Sequence, residues 1–327
     1  MGVALIVAST LLMAIPLAGA TGALVLRSGS GTSAASSAEA ASAFCGVGTT
    51  PHYPAYDPVN HDVYVPNVNS DNVTVLSGCK VVATVGLPSG SGPWAAAFDP
   101  VNDYIYVTDV EGNSVSVISG KSLVTTFSDP SFDEPNAIAF EPDVFSMVVA
   151  NSGTDTISYL DIDTFGVSQV VTVGDNPDGL QWVAGDLFVA SYGSASLSIV
   201  NEGAVRGTVP VGTQPEGIAF DWATQTLDVV NYGSDNVTAF CLSCIGGFTG
   251  TSIPVGSHPT GIVWDQSKLE VYVADQGSSY ISVIKGYSVV RTIEGTSGTG
   301  LTGLAYDDAT DMVYATAINT NEVFEYS

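Results

Sequence analysis

The chain has 327 residues, with 33 acidic and 7 basic side chains, a net charge of −26 and a mean hydropathy of +0.30. So few Lys and Arg residues cannot neutralise a run of phosphates, which argues against nucleic acid as a partner. The negative field keeps the chain soluble and can attract cations, and the 23 Asp against 10 Glu suit a protein with many turns.

Residues 2–26 carry no charge. As a helix they would extend about 37 Å, enough to span a bilayer. Three readings stand side by side for residues 1–27. They are an uncleaved membrane anchor, a signal peptide cut after the small residues Ala18-Gly19-Ala20, or a pilin-like helix packed in a filament core. Residues 28–43 are rich in Ser, Ala and Gly and read as a flexible linker. Residues 44–327 form the remaining domain.

That domain repeats one sentence seven times. Its clearest form is P-x-x-A-x-x-D-P-V-N-x-x-V/I-Y-V. Copies start at Pro54, Pro93, Pro135, Pro177, Pro215 and Pro259, and a seventh starts near Leu301. The leading prolines are 39, 42, 42, 38 and 44 residues apart. A period near 40 with several short Val-, Ile-, Thr- and Tyr-rich runs per unit predicts an all-β, seven-bladed β-propeller with four strands per blade. First strands carry small residues such as Ala95, Ala137, Gly217, Gly261 and Gly303, as a tapering blade requires. Aromatics follow at Phe98, Phe140, Trp182, Phe220, Trp264 and Tyr306, where bulk suits packing between blades. Repeat seven has only three strands before the chain ends. Residues 41–48 are therefore expected to supply its outer strand and close the ring, removing two sheet edges. One hydrophobic helix, residues 1–27, is expected to precede the propeller.

The segments Asp57-Pro58-Val59-Asn60 with Tyr64-Val65-Pro66-Asn67, Asp99-Pro100-Val101-Asn102 with Tyr106-Val107-Thr108-Asp109, and Tyr272-Val273-Ala274-Asp275 resemble the YVTN-family β-propeller repeat. The resemblance spans roughly residues 45–327. It implies the propeller fold and a setting in archaeal or bacterial cell envelopes, including surface layers. Related propellers include lactonase-like enzymes, so the resemblance fixes fold better than function.

Four cysteines point to an oxidising compartment. Cys241 and Cys244 form a C-x-x-C in the loop after the third strand of blade five. A local disulfide is the favoured reading; a redox pair or half a metal site is the alternative. Cys45 on the closing strand and Cys79 on the rim of blade one would lie close enough to bridge if the ring closes as expected. Two sequons, at Asn72 and Asn236, occupy equivalent exposed turns, and they read either as glycosylation sites or as turn asparagines whose sequon is a by-product of the repeat.

Candidate catalytic groups are sparse. His52, His61 and His258 are the only histidines, and nothing in the spacing joins them to a nucleophile. Glu134, Asn136, Asp178 and Glu216 precede or open first strands and could reach the channel mouth. Because their spacing follows the repeat, they read as polar loop residues. Asn67, Asp109, Asn151, Ser191, Asn231 and Asp275 end the second strands. They could present oxygens to Ca²⁺, but recurrence in nearly every blade favours turn capping. No catalytic, cofactor-binding or metal residue is assigned, and Ca²⁺ is the sole cofactor considered. The expectation is a non-enzymatic cell-envelope structural and binding module at the cell surface, surface-layer-like or filament-forming. Its partners would be other envelope proteins or copies of itself, and the membrane through residues 2–26 if these are retained. The alternative is a lactonase-like or lyase-like propeller enzyme.

Overall fold

The computed structural model describes residues 41–244 and 248–327. The hydrophobic segment 1–27 and most of the linker lie outside these residues. Among the described residues no helix is long and apolar enough to cross a membrane.

Seven antiparallel four-stranded sheets make up the described chain. The first strands run Ala55–Asp57, Pro93–Asp99, Pro135–Glu141, Pro177–Val183, Pro215–Asp221, Pro259–Asp265 and Leu301–Asp307. In blade seven the order is Ala43–Gly46, Glu322–Tyr326, Met312–Ala317, Leu301–Asp307. The first described strand pairs antiparallel with the last one, Cys45 opposite Val323. The ring closes as the missing strand of repeat seven requires, and Glu322–Tyr326 is paired on both sides.

Second and third strands are buried on both faces. In Asp62–Asn67, Tyr64 enters the apolar cluster between blades one and two. Val63 and Val65 enter the cluster between blades seven and one. Alternation with period two thus feeds both interfaces from one strand. Seven such clusters each join two neighbouring blades. The aromatics that close each first strand contribute to them, for example Phe98, Trp182 and Trp264.

The D-P-V-N phrase is turn chemistry. Asp57 Oδ1 accepts from the Val59 and Asn60 amides at 2.8 and 3.3 Å. Asn60 accepts from the Asp62 amide and donates to the Tyr64 hydroxyl at 2.9 Å. Asn102 does the same for Tyr104 and Tyr106. His61 and Asp103 follow with φ near +60° (61° and 59°).

Blade one needs a correction. Its first strand is in register with the others from Pro51, not Pro54, because Pro51 bridges Asn67 as Pro93 bridges Asp109 and Pro259 bridges Asp275. The leading residues are then Pro51, Pro93, Pro135, Pro177, Pro215, Pro259 and Leu301. The residue before each takes a left-handed conformation, with φ from 50° to 63°.

Cys45 and Cys79 are bonded with Cα atoms 5.2 Å apart, joining the closing strand to the last hairpin of blade one. Cys241 and Cys244 are also bonded. Two disulfides fit an oxidising compartment outside the cytoplasm.

Candidate functional site at the channel

The corrected register exposes a ring. The second position of the seven first-strand segments is His52, Trp94, Asn136, Asp178, Glu216, Thr260 and Thr302. Flanking positions repeat: Pro precedes in six blades, and the next residue is small in six. The ring itself is chemically different in nearly every blade. Repeat-driven packing does not produce such variety; a site does.

Small neighbours let the inner strands close in. A Cβ on Gly179 would collide with the Glu216 carbonyl oxygen, and one on Gly261 with the Thr302 carbonyl oxygen. One on Gly303 would come within 2.9 Å of the His52 oxygen. Blade one alone carries a large residue at this third position, Tyr53. Its backbone amide donates to the Trp94 carbonyl at 3.1 Å, which fixes the ring over the channel.

Tyr53, Asn136 and Asp178 line a cavity of about 200 Å³ walled by Ala137, Gly179, Gly217 and Gly261. The Tyr53 hydroxyl donates to Glu216 Oε2 at 3.0 Å. Asn136 Nδ2 donates to Asp178 Oδ1 at 3.0 Å. Burial pushes the Asp178 carboxyl up to about 7. Burial, and then the charge of Asp178, holds Glu216 well above the usual carboxylate range. One proton is therefore retained on the pair near neutral pH. His52 is buried and stacked on Trp94 at 3.9 Å between centroids. Burial lowers its imidazole to about 4, so it is neutral at pH 7. His52 Nδ1, Trp94 Nε1 and Asn136 Oδ1 are buried without a protein partner. Of these three only Asn136 lines the cavity, where a ligand or water can complete its hydrogen bonding.

The other singled-out residues separate from this site. Glu134 is exposed on the rim, in the left-handed position before Pro135. His258 holds the equivalent place in blade six, against Tyr232 at 4.5 Å. His61 sits in a turn, bonded to the Tyr56 hydroxyl at 2.8 Å. The three histidines do not converge.

The residues that end the second strands are buried, and all but Ser191, whose hydroxyl has no protein partner, are bonded inside their own blades. Asn67 Nδ2 reaches Thr74 Oγ1 at 3.0 Å and Asn72 Oδ1 at 2.9 Å. Asn231 reaches Thr238 and Asn236 in the same way. Asn151 donates to Ser158 at 2.9 Å, Asp109 accepts from Ser114 and Ser116, and Asp275 accepts from Ser282. The sequon residues Asn72 and Asn236 thus accept bonds from buried asparagines, and Asn72 Nδ2 also donates to Ser70 O at 3.0 Å. Among the described residues no group of three or more His, Cys, Asp and Glu could hold a metal. In the channel one oxygen each of Asp178 and Glu216 is already taken by Asn136 and Tyr53.

Residues 46–201 match the family model described as "Lactonase, 7-bladed beta-propeller", just short of half the chain. No curated protein matches. Among solved structures, a streptogramin B lyase is 13% identical, covering 86% of this chain and 94% of that one, with a TM-score of 0.74. A catalytically inactive His-to-Ala variant of virginiamycin B lyase from Staphylococcus aureus, with quinupristin, is 11% identical over 86% and 98%, at 0.76. Hydrazine synthase from Kuenenia stuttgartiensis is 16% identical over 91% and 98%, at 0.71. At these identities the structures share the fold, and the fold and family match together define a seven-bladed β-propeller.

The match to the lactonase family model, with lyases among the structural neighbours, overturns the expectation of a non-enzymatic envelope module and of no catalysis. That expectation rested on treating Asp178 and Glu216 as repeat-dictated loop polarity. They occupy the one inner position that the repeat leaves free.

Proposed function

We propose that this chain is a lactonase-like or lyase-like propeller enzyme that opens a cyclic ester at the channel site. The observation that carries the reading is the buried Asp178–Glu216 pair, one hydroxyl from Tyr53, beside a small cavity. A carboxyl that keeps its proton at neutral pH can deliver it to a leaving oxygen, and its ionised neighbour can accept one. Glu216 is the proton donor, since its carboxyl is held higher, and Tyr53 orients it. Asp178, oriented by Asn136, is the base. It takes a proton from water in hydrolysis, or from carbon next to the ester in elimination. Asn136 lines the cavity, and its orphaned Oδ1 accepts from a polar group of the substrate.

A panel of lactones together with a streptogramin, read by mass spectrometry, tests this. A hydrolysed ring gains the mass of one water, whereas an eliminated ring opens without change of mass. Ring opening that falls by about 10²–10⁴ in Asp178→Asn and Glu216→Gln supports the assignment. No ring opening on the panel, or opening unaffected by the double variant, refutes it.

A further inference from the structure

The opposite end of the channel carries a second site. The last-but-one position of each first-strand segment is aromatic in all seven blades: Tyr56, Phe98, Phe140, Trp182, Phe220, Trp264 and Tyr306. Packing between blades explains bulk there, but Leu or Ile would supply bulk equally well. Four of these rings, Tyr56, Phe98, Trp264 and Tyr306, line an open cavity of about 500 Å³. Each is only half-buried, so part of each ring serves no interface.

The one charged side chain lining this cavity is acidic, beside the neutral Gln266. Asp308 lines it and is exposed. Tyr306 Oη donates to Asp311 Oδ1 at 3.0 Å, and Tyr56 faces Asp307 and Asp308. The nearby cation, Lys268, is held in ion pairs with Asp265 and Asp311 at 3.1 and 3.2 Å. A hydroxyl tied to a carboxylate, as that of Tyr306 is, enriches its ring in electrons, whereas the Tyr56 hydroxyl is bonded to His61. Electron-rich faces around an acidic rim, on a chain of net charge −26, favour a positive guest of low hydration.

We propose that this cavity binds an organic cation of the quaternary ammonium class, held by the faces of Trp264, Tyr56, Tyr306 and Phe98 with Asp308 as counter-ion. The methylated head group loses little hydration on entry, and the rings replace it with cation–π contacts. A neutral molecule of the same shape gains only the apolar contact.

The test is calorimetric titration of the full chain with choline and with its uncharged isostere, 3,3-dimethylbutan-1-ol, at low and high salt. Choline should bind saturably, and the alcohol about tenfold more weakly or not at all. Asp308→Asn, an exposed change that the fold tolerates, should weaken choline about threefold at low salt and less at high salt. Trp264→Leu should weaken it about tenfold, with circular dichroism unchanged. Equal affinity for choline and the alcohol makes the cavity merely apolar and overturns the proposal. So does the absence of saturation with choline up to tens of millimolar, or unchanged choline affinity in a folded Trp264→Leu variant.

Discussion

The Tyr53 hydroxyl donates to Glu216 across 163 residues of sequence, tying blade one to blade five through the axis of the ring. Blades one and five are not neighbours in the ring, so this bond crosses the channel instead of packing an interface. It also lowers the Glu216 carboxyl against the burial that raises it.

Tyr53→Phe should therefore push the Glu216 carboxyl higher still. The alkaline limb of the ring-opening rate, where the acid form is lost, moves to higher pH, while the rate falls about 10- to 100-fold through lost orientation. The fold should lose about 1–2 kcal/mol, the cost of leaving a buried oxygen without its donor. A pH–rate profile with unchanged KM checks this; a profile that does not move separates Tyr53 from the acid.

Stability should fall as pH rises. Asp109 and Asp275 are pushed up to about 7 and Asp228 to about 8, all by burial first. All three side chains are shut off from solvent. A folded-state carboxyl raised above its unfolded value near 4 binds its proton more tightly in the folded chain. Its stabilising contribution is complete below about pH 4 and is lost through pH 7–8. Glu216 acts in the same direction. His52 opposes them: lowered to about 4, it favours folding above its unfolded value of 6.5 and loses that contribution as pH falls towards 4. With Asp178, likewise pushed up to about 7 by burial, these five carboxyls against one imidazole leave the chain more stable at pH 5 than at pH 8, on the order of several kcal/mol. Denaturant midpoints at the two values check the sign, and a higher midpoint at pH 8 would count against these groups being buried.

The fold was legible because its rules are local. The Asp57 and Asp99 turns, the paired Tyr64 and Tyr106, and a seventh repeat lacking one strand define blade number and closure. The site was half legible. Asn136, Asp178 and Glu216 could be named and His52 was weighed and set aside, but Tyr53 and Trp94 were passed over, because P-H-Y-P-A-Y-D offers two prolines and the anchor fell on Pro54. Aligning Asp57 with Asp99 moves the anchor to Pro51 and sets His52 beside Trp94. What no single repeat could show is the contrast among repeats. The side chains proposed for catalysis lie where the seven copies disagree.

Asn67 tests how far the second-strand ends serve the blade alone. It is fully buried and donates to Val65 O, Asn72 Oδ1 and Thr74 Oγ1. Asn67→Ala orphans these acceptors and should cost about 2–3 kcal/mol without affecting ring opening at the channel. Asn231→Ala, its counterpart in blade five, should behave alike. A change in activity at constant stability would mean that these residues reach beyond their own blades.

The Cys45–Cys79 bridge staples the closure, since Cys45 lies on the strand that completes blade seven and Cys79 belongs to blade one. It closes a segment of 34 residues, for which chain entropy gives about 4 kcal/mol, against about 2 for the short Cys241–Cys244 loop. Cys45→Ser with Cys79→Ser should therefore lower stability about twice as much as removing the other pair. The loss should be local before it is global. Amide exchange should accelerate first in Ala43–Gly46 and its partner Glu322–Tyr326, because the closing strand then holds by its ladder alone. Exchange that rises uniformly around all seven blades would show that closure does not depend on the staple.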